Sequence, residues 1–144
     1  MKSQFHSICE AAAEAIRRSP GIPAGVAVVA YERGDIESEI ERSISQLGLC
    51  VIVLPFEPGH SYPGTVPPFY DEADLIVHVV ENPLMNSTGV DGTFLRDAVA
   101  LALCGSDLEG LLADVLSEHR IQRADDGELT IREMTWKTAA QLQL

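Results

Sequence analysis

The segment ADLIVHVVEN, residues 73–82, decides the fold. Ala73, Leu75, Ile76, Val77, Val79 and Val80 occupy both parities, so the segment reads as a strand with apolar contacts on its two faces. Pro83 stops it, because proline has no N–H for a ladder and restricts the residue before it. A strand of this kind belongs at the centre of a sheet, with the other segments arranged around it.

Upstream, LCVIVLP at 49–55 and GVAVVAYE at 25–32 are short, Val-rich strands. Between them Ile36, Ile40, Ile44 and Leu47 form one helical stripe, with Asp35 as N-cap and Gly48 at the left-handed position after the last turn. Such a succession pairs in parallel only if both strands share one sheet, and the sequence leaves their neighbours open. Glu37, Glu39 and Glu41 read as the solvated face of that helix. An earlier amphipathic helix, 3–18, carries Phe5, Ile8, Cys9, Ala12, Ala13 and Ile16 at three- and four-residue steps and ends before Pro20 and Gly21.

Downstream, residues 83–91 form a loop, and Asp91 or Thr93 begins a helix in which Leu95, Ala98, Val99, Ala102 and Leu103 keep the period up to Gly105. Residues 105–123 are ambiguous because Gly110 interrupts a helical pattern. The turn dipeptide Asp126–Gly127 then favours a hairpin. Its second strand, TIREMTWKTAAQL, sets Met134, Trp136, Thr138, Ala140 and Leu142 against Arg132, Lys137 and Gln141. The expected architecture is one domain over 1–144, of the α/β (α+β) class. It has a mainly antiparallel or mixed sheet of four to five strands, about three flanking helices and a terminal β-hairpin.

The chain has 144 residues and a net charge of −12, from 10 basic and 22 acidic side chains. That balance opposes binding to nucleic acid or to an anionic membrane and favours a protein or small-molecule partner. Cys9, Cys50 and Cys104 form no CxxC pair and read as reduced thiols packed in apolar segments of a cytosolic protein. No apolar run approaches membrane-spanning length and no signal-peptide pattern opens the chain, so a soluble intracellular protein is expected. Phosphate-loop, dinucleotide, zincin and serine-nucleophile motifs are missing, and no catalytic, cofactor-binding or metal-ligating residue is assigned. His78 reads as a hydrogen-bonded residue of the core.

Residues 56–72, FEPGHSYPGTVPPFYDE, combine proline and glycine with Phe56, Tyr62, Phe69 and Tyr70. A connection this long without periodicity is usually functional or faces a partner, although a bulged edge strand is equally compatible. The aromatics, with Leu84 and Met85 of the next loop, are the candidate interaction residues. Two other readings stand beside this one. A small enzyme or ligand-binding domain would place its pocket at the strand ends near Asp71, Asp74 and His78, whereas a regulatory interaction module would form a dimer.

The order of whole segments carries a resemblance. The central strand running through VVENPLMN into a helix that closes on LCG, followed by a last strand WKTAAQLQL, resembles the tail-terminator or tail-completion (minor tail) proteins of bacteriophages and prophages. The resemblance implies a structural virion-assembly protein forming a ring, commonly a hexamer, that caps the tail tube and joins it to the head connector. It implies no enzyme activity, catalytic residues or cofactor. It places the protein in the bacterial host cytoplasm during assembly and then in the virion tail.

Overall fold

The computed structural model describes residues 4–30, 36–54, 70–104, 107–108, 111–112, 116–123 and 129–141. In chain order the elements are α1 (Gln4–Arg17), β1 (Ala27–Ala30), α2 (Ile36–Leu47), β2 (Leu49–Leu54), β3 (Tyr70–Glu81), α3 (Gly92–Leu103), β4 (Asp107–Leu108), β5 (Leu111–Leu112), β6 (Leu116–Arg123) and β7 (Thr130–Gln141). Five strands form one mixed sheet in the order β1-β2-β3-β7-β6, and β4 and β5 form a separate two-stranded ribbon. β1 and β2 are parallel; the other neighbours in the main sheet are antiparallel. This is the α+β class expected, with β3 in the middle and β6–β7 as the late hairpin.

Strand parity separates two cores. Leu75, Val77 and Val79 of β3, Val51 and Val53 of β2, and Met134 and Trp136 of β7 meet Ile8, Ala12 and Ile16 of α1 and Leu95, Val99 and Leu103 of α3. On the opposite face Ala27, Val29, Cys50 and Val80 pack with Ile36, Ile40 and Ile44 of α2. Ser43 is the buried polar residue of α2, and it joins the starts of two strands. Its Oγ donates to the Leu49 carbonyl at 2.5 Å and accepts from the Ala27 amide at 2.9 Å. At the edge of the sheet Arg17 Nε donates to the Val28 carbonyl at 2.9 Å, tying α1 to β1.

Several local expectations change. β1 is described only over Ala27–Ala30, and the proposed cap Asp35 lies outside the described residues, as do Gly105 and the 124–127 turn. β3 begins at Tyr70, so Tyr70, Asp71 and Glu72 belong to a strand rather than the loop. They pair with Gln141, Ala140 and Ala139 of β7, a long-range ladder that local composition does not encode. The two-sided burial of β3 is partial, because α2 packs on β1 and β2 and leaves Ile76 and His78 half-buried. Arg132 shares the parity of Met134 and Trp136, on the α1–α3 side, where it meets Glu81. Cys104 is exposed at the end of α3, not packed in the core.

Candidate interaction site

The connection from β3 to α3 is held at its root by backbone and side chains together. Gly48, at φ 75°, brings the end of α2 against this loop, where the Asn82 amide donates to the Gly48 carbonyl at 2.9 Å and the Ser87 amide to the Leu47 carbonyl at 3.3 Å. Within the turn, the Met85 amide reaches the Asn82 carbonyl at 3.0 Å and the Leu84 amide the Asn82 Oδ1 at 3.2 Å. Asn86 organises the rest: its Nδ2 donates to Glu81 Oε2 at 2.9 Å and to the Val90 carbonyl at 2.7 Å, while its Oδ1 accepts from Thr88. Glu81 also accepts from Arg132 at 3.2 Å, so a buried carboxylate anchors the loop to β7. Asp91 caps α3 through the Phe94 amide at 2.8 Å. Gly92 follows because a Cβ there would meet Arg132 and Glu81.

On this fixed scaffold two apolar side chains project outward, Leu84 at 90% exposure and Met85 at 48%. A turn already ordered by its own hydrogen bonds loses little freedom when it is gripped, so these two candidates have the properties of contact residues. The remaining large exposed apolar residues among those described are Phe94 and Leu101 of α3. They flank a groove of about 530 Å³ lined also by Ala15, Pro20, Gly21 and Ala98. Gly21 forms its floor, since a Cβ there would lie 2.8 Å from the Ala98 Cβ. Phe94, Ala98 and Leu101 repeat at i, i+4 and i+7, so α3 carries a second apolar face beside the one buried on the sheet. That spacing was available in the sequence and marks the groove.

Phe56, Tyr62 and Phe69 lie outside the described residues, and Tyr70 opens β3. Asp71 lies next to the start of β3 and Asp74 further along it, opposite Ala140 and Lys137 of β7. His78 Nε2 lies 2.9 Å from Glu133 Oε2 on the neighbouring strand. The α1–α3 groove and a second cleft between α1, β1 and α2 are lined by residues other than Asp71, Asp74 and His78. The Cys50 thiol is pushed up to about 12, first by burial and then by Glu39, which leaves it protonated and inert. Among the described residues no cluster of three or more His, Cys, Asp or Glu could hold a metal, and no helix is long and apolar enough to cross a membrane.

No family model matches the sequence, and no curated protein matches it. Among solved structures, a chain from the virion of a native gene transfer agent particle has the same fold. The TM-score is 0.60 at 14% identity, over 93% of this chain and 94% of that one.

Proposed function

We propose that this chain is a structural subunit of a phage-like particle, of the tail-terminator kind, and not an enzyme. The observation that carries the reading is the end-to-end likeness of fold to a chain of a gene transfer agent virion. The element order that resembles tail terminators points the same way. In this reading copies close into a ring, a hexamer where the tail-terminator resemblance holds, that caps the tail tube and meets the head connector. Subunits assemble in the bacterial cytoplasm and end in the particle tail. Contacts to the tube or to other copies are assigned to Phe56, Tyr62, Phe69, Tyr70, Leu84 and Met85. A net charge of −12 per subunit would line a ring with like charge, which lets DNA pass without adhering.

The test is co-expression with the tail-tube protein of the same genome, followed by native mass spectrometry and negative-stain microscopy. Closed rings, free or seated on tube ends, are the expected result. A chain that stays monomeric alone and with tube protein would overturn the assignment.

A further inference from the structure

We infer that the Leu84–Met85 turn of one copy seats in the α1–α3 groove of the next, an inference that rests on the ring reading and names its contact surfaces. Every large apolar side chain exposed among the described residues belongs to one of these two features. One is a protruding pair on a hydrogen-bonded turn; the other is a concave surface between Phe94 and Leu101. They are different patches of one molecule. Phe94 and Leu101 alone are about 10 Å apart along the axis of α3, and neither Leu84 nor Met85, which precede that helix in the chain, lines the groove. A convex patch that fits a concave one elsewhere on the same chain gives a head-to-tail contact, which repeats from copy to copy and closes as a ring when the rotation permits.

Charge selects the same pairing. Copies carrying −12 repel one another, so association needs a contact with little acidic surface or with a local cation. Residues 82–91 contain no Lys or Arg, and Asp91 is their one acidic side chain. On the rim of the groove Arg18 keeps 78% of its side chain exposed, although it bonds Glu14 at 3.2 Å. Asp97, the acid on that rim, is already paired with Arg96 beside it. An incoming turn therefore brings a negative charge toward an accessible guanidinium and otherwise presents neutral Asn, Ser and Thr around its two apolar residues.

Intermolecular cross-linking tests this in the full chain with Cys104→Ser as background, since Cys104 is exposed one turn from Leu101. Met85→Cys and Leu101→Cys proteins, prepared separately and mixed, should form a mixed disulfide dimer about tenfold more than either forms with itself under the same oxidation. Leu101→Asp, on an exposed helical position that should leave the fold intact by circular dichroism, should weaken self-association by about tenfold or more. If the parent protein forms rings yet the mixed dimer is not enriched and Leu101→Asp still assembles, the turn-in-groove pairing is wrong while the ring stands. If the parent protein is monomeric alone and with tube protein, both fail.

Discussion

Replacing Gly48 with alanine separates two costs that the structure superimposes at one residue. Gly48 has φ 75°, and a left-handed backbone costs an L-residue about 1–2 kcal/mol, offset by roughly 0.4–1 kcal/mol from a stiffer unfolded chain. The added Cβ would also lie 2.5 Å from Asn86 Cα and 2.7 Å from the Met85 carbonyl carbon, both backbone atoms that cannot rotate away. Relief requires moving the loop off α2. That move breaks the Asn82 bond to Gly48 and the Ser87 bond to Leu47, at about 1 kcal/mol each. Together the loss is about 3 kcal/mol. Gly89 is the internal control: it has φ 83° but open space where its Cβ would stand, so Gly89→Ala should cost only about 1 kcal/mol. Urea unfolding followed by the fluorescence of Trp136, the single tryptophan and a core residue, reads both variants against the parent. If Gly48→Ala is no more destabilising than Gly89→Ala, the close approach of loop to helix is not what holds the turn.

Val77→Ala should lower stability by roughly 1–3 kcal/mol, since Val77 is wholly buried in β3 against α1 and α3; an unchanged urea midpoint would show that this face is not packed. Arg132→Met should cost about 3–5 kcal/mol by leaving the Glu81 carboxylate, 6% exposed, without its cation. Adding Glu81→Leu should recover much of that in chemical denaturation, and a double variant no better than the single one would exclude a mutual pairing. For Cys50 the folded thiol is raised from 9.0 to about 12, so its contribution is complete below pH 9 and is lost as pH rises toward 12, at up to ~1.4 kcal/mol per pH unit. Cys50→Ala should lack that share of the alkaline slope in stability measured from pH 8 to 11, and identical slopes would contradict the buried-thiol description.

Elements written in local periodicity were legible; elements that depend on distant pairing were not. The apolar run of β3, the stripe of α2 and the Asp91 cap each follow from neighbours within a few residues, and each is present. The insertion of β7 between β3 and β6 has no local signature, and neither does the extension of β3 back to Tyr70, because both are decided by which strand lies alongside. Arg132 looked like a solvent-side residue by its charge. Its parity instead places it with Met134 and Trp136, where the Glu81 carboxylate, itself held by Asn86, supplies the partner that makes a half-buried cation tolerable. Leu84 and Met85 were legible as apolar residues of the loop after the central strand. Phe94 and Leu101 were passed over because one buried stripe on α3 satisfied the pattern, and a helix with two apolar faces needs two partners.

The place of β7 in the sheet has a consequence for biosynthesis. As the polypeptide leaves the ribosome, β1, α2, β2, β3 and α3 all emerge before the strand that covers the second edge of β3. Until β7 arrives, a twelve-residue edge containing Val77 and Val79 has open ladder groups, a template on which other nascent chains could pair. That edge is covered only once residues 130–141 have been made. Prematurely terminated copies would then be diverted to chaperones or proteases before they could compete with intact ones.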